Sequence, residues 1–287
     1  MKIQVISDIH LEHNKSIPSF LINPDNIKAP YLFLLGDIGC PKQKKSLWLE
    51  YINWCNSQEK LSRIFYVLGN HESYNFSYEE TIEYIRNIFS TMPKFTLLER
   101  NVITQLEDYT IIGCTLWSDI DFATALLIND MRNIYQSKVN NLSQNKYKYN
   151  LLEKYPIDIS TLQSWYKLDK KWLENTLNDL QSKSQSQLQS QSPSVKEKQE
   201  KIIVATHHMP SMKLIPPKFQ DPHNMKYSRG FASNLDHLIP LTNLWLFGHT
   251  HYHVDTMLDK TRCYANPLGY PDESDTRFCI SKVIELE

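Results

Sequence analysis

Five short apolar runs, at residues 2–7, 31–35, 64–68, 202–206 and 244–247, constrain this chain more than any other feature. Each has the length of a buried strand and is too short for a free-standing helix. Each is followed at once by a segment rich in Asp, Asn or His. These are Asp8-Ile9-His10, Gly36-Asp37, Gly69-Asn70-His71-Glu72, His207-His208 and Gly248-His249-Thr250-His251. The ends of strands in an α/β sheet open on a common crevice. Side chains delivered from five such ends are therefore expected to meet.

The stretches between the runs support that architecture. Leu47, Trp48, Tyr51, Ile52 and Trp54 mark one helical face after the second run. Ser77 and Glu80 have capping-box spacing, and Ile82, Ile85, Ile88 and Phe89 continue at helical period until Pro93. Strand–helix–strand alternation predicts a largely parallel sheet with helices packed on it. Residues 109–114 read as a further strand. Residues 120–158 are polar and weakly periodic, and are expected to form a cap or insertion. Leu162, Trp165, Leu168, Trp172, Leu173, Leu177 and Leu180 then predict an amphipathic helix. Eleven of the fourteen residues 181–194 are Gln or Ser, so 181–200 is expected to be a disordered loop. Strands near 254–258, 262–265 and 278–284 are expected to form an antiparallel second sheet. The predicted fold class is α/β, an αββα sandwich in one domain over residues 1–287, with two packed mixed sheets flanked by helices.

Composition removes several function classes. With a formal net charge of -1, the chain lacks the basic surplus of a protein that lives on nucleic acid. The five cysteines are odd in number, widely spaced and without a C-x-x-C, which argues against a disulfide framework or a thiolate zinc site. No leader pattern opens the sequence, and no apolar stretch approaches the roughly 20 residues of a membrane span. The expectation is a soluble, cytoplasmic protein.

The chemistry follows from donor type. Carboxylate, amide and imidazole together suit a divalent ion such as Mn, Fe or Zn. Asp8 and His10, two residues apart, are expected to project together from an extended stretch. Asp37 is the candidate bridge between two ions, because a carboxylate has two oxygens. Asn70, His207, His249 and His251 complete the set. Seven donors exceed the needs of one ion and imply two, an arrangement suited to phosphoester hydrolysis by a metal-bridging hydroxide. His71, beside Asn70, is the candidate proton donor to the leaving group.

The ordered motifs D-x-H, G-D, G-N-H-[DE], H and G-H-x-H, from Asp8 to His251, resemble those of the calcineurin-like metallophosphoesterase superfamily. The resemblance implies an αββα sandwich with a dinuclear centre. It implies that Asp8, His10, Asp37 and His251 hold one ion, and that Asp37, Asn70, His207 and His249 hold the other, with His71 as acid or supporting group. Three further stretches, Thr115-Leu116-Trp117-Ser118-Asp119, Asn129-Asp130-Met131-Arg132 and Ala265-Asn266-Pro267-Leu268-Gly269-Tyr270, resemble a widespread subgroup of these enzymes. That subgroup usually has Arg where this chain has Leu268, so one phosphate-binding cation is missing. Asp37 is followed by Ile38-Gly39-Cys40 rather than the Asp-Arg-Gly of the protein Ser/Thr phosphatases, which disfavours that branch.

Tyr74, Asn75 and His208 are candidate substrate contacts by their position beside the motifs. Arg132 and Arg229 are candidates to hold a distal phosphate, because a guanidinium fork matches phosphate oxygens. The expected activity is hydrolysis of a phosphomonoester or phosphodiester, with a small molecule or nucleotide favoured. A nuclease gripping a single strand through the Lys- and Tyr-rich residues 138–154 is the enzymatic alternative. A catalytically silent scaffold of the same fold is the non-enzymatic one.

Overall fold

The computed structural model describes residues 1–42, 47–136, 155–190, 201–221, 224–273 and 277–287. Its strands, numbered in chain order, are β1 (Lys2–Ile6), β2 (Tyr31–Leu35), β3 (Arg63–Val67), β4 (Phe95–Leu97), β5 (Ile103–Leu106), β6 (Tyr109–Cys114), β7 (Lys201–Thr206), β8 (Leu244–Phe247), β9 (Val254–Leu258), β10 (Thr261–Ala265) and β11 (Val283–Glu285). The longer helices are α1 (Leu47–Ser57), α2 (Tyr78–Phe89) and α5 (Ile159–Ser190). Short helices α3 (Phe122–Ala125), α4 (Asp130–Asn133) and α6 (Met225–Phe231) lie between them.

Two sheets form. One has the order β11-β1-β2-β3-β4 and the other β5-β6-β7-β8-β10-β9. β1, β2, β3 and β4 run parallel, as do β6, β7, β8 and β10. The continuous apolar runs have a direct explanation: both faces of each strand are covered. Ile3, Val5, Phe33, Leu35, Phe65 and Val67 of the first sheet pack against Ile111, Ile203, Ala205, Leu244, Leu246 and Tyr264 of the second. The alternate residues Leu32, Leu34, Ile64 and Tyr66 face a helix layer with Trp48, Ile52, Ile85 and Phe89. Ile202, Val204, Trp245 and Phe247 face the opposite layer, with Leu173, Leu177 and Leu180 of α5. The layers are therefore helix, sheet, sheet, helix.

Several local signals act as predicted. Ser77 caps α2, its hydroxyl accepting from the Glu80 amide at 3.2 Å. Four points are corrected. Both sheets are mixed as predicted, but the strands after β8 do not make an antiparallel sheet of their own, because β10 pairs parallel with β8. The last strand, β11, joins the first sheet antiparallel to β1. The 120–158 segment is not a purely polar cap, since Ile120, Ala125, Ile134 and Ile157 enter the core beneath it. Helix α5 also continues to Ser190, ten residues into the tract expected to be a loop. A helix already nucleated and packed adds residues cheaply, Gln is a good helix former, and no Gly or Pro intervenes before Pro193. On the same helix Leu168 faces outward, and the buried position beside it belongs to Asp169, which accepts from Arg100 at 2.5 Å. The 138–154 segment and residues 191–200 lie outside the described residues.

Candidate active site

The parallel order places the C-terminal ends of β1, β2 and β3 on one edge and those of β7 and β8 on the facing edge. The segment after β1 zips onto the segment after β2. The amides of Asp8, His10 and Leu11 donate to the carbonyls of Gly36, Asp37 and Ile38 at 3.0, 2.9 and 3.1 Å. Asp8 and His10 do meet the same side chains, but not from an extended chain. Their φ values are 54° and 51°, and Asp37, His249 and His251 are also left-handed at 51°, 71° and 48°. Non-glycine residues rarely adopt this conformation, and clusters of it mark functional sites. Gly36 (φ 83°) and Gly69 let the backbones close in. A Cβ on Gly36 would sit 2.4 Å from Nδ1 of His207, and one on Gly69 would sit 2.1 Å from Oδ1 of Asp37.

Two donor clusters result. Asp8, His10 and His251 form one, and Asp37, His207 and His249 form the other. In the first, Nε2 of His10 faces Nε2 of His251 at 2.9 Å, with Oδ1 of Asp8 3.6 Å from the latter. In the second, Nε2 of His207 lies 3.1 Å from both Nδ1 of His249 and Oδ1 of Asn70. Asp37 stands between them, its Oδ2 3.4 Å from His207 Nε2 and 3.8 Å from His10 Nε2.

The outward ring nitrogens are all tied to oxygens. Nδ1 of His10 meets Glu12 at 3.0 Å, Nδ1 of His251 meets Glu273 at 2.5 Å, and Nδ1 of His207 meets the Leu35 carbonyl at 2.8 Å. Nε2 of His249 faces the Gly230 carbonyl at 3.3 Å. A neutral imidazole that donates outward presents its lone pair inward. Each facing pair of nitrogens therefore needs one positive charge between its two rings. The titration behaviour agrees. Against burial, the Asp37 carboxylate pushes His207 up to about 10, while burial and the neighbouring His208 and His207 hold His249 well below the usual range. Burial lowers His10, and the Glu273 bond overcomes burial to raise His251. Two nitrogens about 2.1 Å from one ion, at right angles, lie roughly 3 Å apart. The observed spacings and the N/O donor chemistry thus fit a divalent cation in each cluster.

A second ring of side chains holds the first. The Asn70 amide donates to Oδ1 of Asp130 at 2.7 Å, which turns its oxygen toward His207. Tyr74 donates to the same Asp130 oxygen at 2.8 Å and stacks on His71 at 4.1 Å. Oε1 of Glu12 is shared by His10 and by Nδ1 of His71, the latter at 2.8 Å, while Tyr270 faces Nε2 of His71 at 3.3 Å. Against burial, Asp37 and Glu12 push His71 up to about 9. The buried Glu72 carboxylate accepts from the amides of Asp37, Ile38 and Gly69 and from the Tyr66 hydroxyl, at 3.0, 2.9, 2.8 and 2.7 Å. Burial and the Asp37 charge push it up to about 7, while Tyr66 opposes the rise.

The predicted substrate contacts divide. Tyr74 lines the cavity over the clusters, whereas Asn75, His208, Arg132 and Arg229 are not among its lining residues. Asn75 turns away at φ 70°, its amide donating to the Asn133 carbonyl at 2.6 Å. His208 is buried against His249 at 4.1 Å, and burial with the His207 charge pushes it down to about 3. The Arg132 guanidinium reaches the Leu126 carbonyl, and Arg229 lies 3.7 Å from Asp121. Leu268 packs on the helix-covered core and supplies no charge.

Glu12, Asp130, Tyr270 and Glu273 support the site without being among the sequence candidates. Glu12 continues the period-two run Asp8-x-His10-x-Glu12, and Asp130 and Tyr270 lie inside the longer motifs, so a signal exists for three of them. Nothing local marks Glu273.

Among the described residues no helix is long and apolar enough to cross a membrane. An uncharacterized protein, L509, of Acanthamoeba polyphaga mimivirus is 30% identical over 291 residues, covering 94% of this chain and 92% of the relative. The crystal structure of a phosphopantetheinyl hydrolase from Mycobacterium tuberculosis shares the fold, with a TM-score of 0.57 and 15% identity over 94% of this chain and 90% of that one. The calcineurin-like phosphoesterase family model matches residues 1–253, a span that takes in all five motif segments and every donor of both clusters. With sequence pattern, layer order and donor geometry in agreement, the chain belongs to the calcineurin-like phosphoesterase family.

Proposed function

We propose that this chain hydrolyses a phosphoric ester of a small molecule or nucleotide with the help of two divalent cations. Asp8, His10, Asp37 and His251 would hold one, and Asp37, Asn70, His207 and His249 the other. The observation that carries this reading is the pair of inward-facing nitrogen sets meeting at Asp37. When bound, the cations would supply positive charge to the phosphate oxygens and acidify a water between them. Nitrogen and oxygen donors admit Mn, Fe, Zn or similar ions.

The residues around the donors divide the remaining work. Glu12 and Glu273 fix the rings of His10 and His251, and Asp130 fixes the amide of Asn70. His71 is raised to about 9 and holds its proton at neutral pH, which suits transfer to a departing alkoxide. A small substrate is favoured because the net charge is -1 and Lys218 is the single Lys or Arg lining the described cavity over the clusters.

The direct test is turnover of p-nitrophenyl phosphate and bis(p-nitrophenyl) phosphate with added manganese. Hydrolysis of at least one, abolished by chelation and restored by metal, is the expected result. No turnover of either, together with no bound metal by elemental analysis, would sink the reading. His71 makes a sharper prediction. His71→Ala should slow an alkyl ester by about 10²-fold or more, the usual contribution of a general acid. It should slow a p-nitrophenyl ester far less, because that anion leaves without a proton. Equal losses on both substrates would remove His71 from the proton-donor role.

A further inference from the structure

Glu12 gathers more side chains than its work on His10 requires. Its Oε1 lies 3.0 Å from Nδ1 of His10, 2.8 Å from Nδ1 of His71 and 3.7 Å from Nε2 of His13. The donor atoms of these four residues fall within 4.8 Å of one another, a third such group beside the two that meet at Asp37. Hydrogen bonds to Oε1 account for His10 and His71. They do not account for His13, which stands too far off to make one. Nor do they account for Oε2, which is buried without a hydrogen-bond partner on a side chain only 8% exposed. A buried carboxylate oxygen left unpartnered is costly unless a positive charge reaches it.

The geometry suits an ion. Nε2 of His10 faces the Asp8 cluster, so its Nδ1 keeps a proton for Glu12 and is not a ligand. Three donors remain, the Glu12 carboxylate, Nδ1 of His71 and Nε2 of His13. Tetrahedral ligands about 2.1 Å from zinc lie roughly 3.4 Å apart. The spacings of 2.8 and 3.7 Å from Oε1 bracket that value. His13 ends the short turn Leu11–His13 with its side chain 48% exposed, so it is free to close the longer distance. All three residues line one cavity, of about 750 Å³, which gives an ion a way in and room for a water as fourth ligand. Two imidazoles with one carboxylate favour zinc over manganese or magnesium, which prefer oxygen.

We infer that Glu12, His13 and His71 form a third cation site, which takes zinc and inhibits hydrolysis when filled. Three protein ligands stand here against four for each ion of the proposed pair, so this zinc binds more weakly and leaves first. An ion on Nδ1 of His71 replaces the proton there. The ring then no longer donates to Glu12 and holds at most the proton on Nε2, which faces Tyr270 at 3.3 Å. His71 is thereby withdrawn as a proton donor to a leaving group. Binding at this site is independent of the phosphoesterase reading above, whereas the inhibition rests on it.

The test dialyses the full chain against graded zinc chloride and follows bound zinc per chain together with turnover of an alkyl phosphoric ester. The expected result is a third zinc, bound after the first two, and turnover that falls as it binds. Anomalous scattering at the zinc edge should place that ion between Glu12, His13 and His71. His13→Ala, at a half-exposed position outside the paired clusters, should keep two ions and its turnover. It should need at least about tenfold more zinc to bind a third or to be inhibited, the loss that even an outer partner of a metal ligand produces. A wild type that never binds more than two ions would overturn the inference, as would a His13→Ala variant that binds a third like the wild type. A third zinc with undiminished turnover would overturn the inhibition. A third zinc lost with His13, but no turnover at any zinc level, would sink the phosphoesterase reading and leave the site standing.

Discussion

Replacing Asp37 by alanine is expected to leave at most one divalent ion per chain and to slow hydrolysis by about 10³-fold, the effect of losing roughly 4 kcal/mol of charge stabilisation. Among the described residues its Oδ2 is the one carboxylate oxygen within 4 Å of a histidine nitrogen in each cluster, His207 at 3.4 Å and His10 at 3.8 Å. No other described carboxylate reaches both clusters. Its Oδ1 accepts the His71 amide at 2.9 Å, so the alanine variant also loosens the turn that carries Asn70 and His71. Asp37→Asn separates the two effects, because it keeps an acceptor for that amide and removes the charge. Elemental analysis of both purified variants, alongside turnover, decides the matter. Two ions retained in either variant, with near-normal activity, would remove Asp37 from the shared position.

Glu72→Ala is expected to be the most damaging change to stability near the site, at about 3–5 kcal/mol. The ionised carboxylate is not comfortable where it sits, since burial and Asp37 push it up to about 7. Its loss is worse, because three backbone amides and the Tyr66 hydroxyl lose their acceptor inside the core. An unsatisfied buried donor costs about 1–3 kcal/mol. The transition midpoint should fall by about 10 °C, given roughly 2–4 °C per kcal/mol in a chain of this size. Thermal and urea unfolding check it, and a loss below about 1 kcal/mol would show that the loops hold themselves without Glu72. The same carboxylate ties the turn after β2 to the turn after β3, so the surviving fold should also bind metal less tightly.

Much of this arrangement is legible in the order of residues. The apolar runs mark the strands because their length excludes a helix, and both faces of each strand are in fact buried. The motif segments mark the two clusters because few residue types suit a divalent ion, and the side chains they name do gather there. What is not legible depends on long-range contact. The left-handed backbone at Asp8, His10 and Asp37 is imposed by the bonds between the segments after β1 and β2, and nothing in Asp or His announces it. Hydropathy can place a strand near the C-terminus but cannot choose its sheet, and β11 goes to β1. The arginines look suitable by chemistry alone, yet Arg229 sits by Asp121 and Arg132 reaches a carbonyl outside the cavity. Glu273 reaches His251 from 22 residues away, where no local pattern marks it.

The two donor clusters draw on both sheets. Asp8, His10, Asp37 and Asn70 come from the ends of strands in the first, and His207, His249 and His251 from the second. Asp8 and His249, joined by a backbone-to-carboxylate bond at 2.9 Å, are 241 positions apart. A cation gripped by both sheets would act as a clasp across almost the whole chain, and closing so long a loop is what limits the assembly of such a fold. Neither half of the chain carries enough donors to close the clasp alone. Cation affinity would then be a reading of whether the two sheets have docked, and partly folded chains would be set apart from finished ones by what they fail to bind.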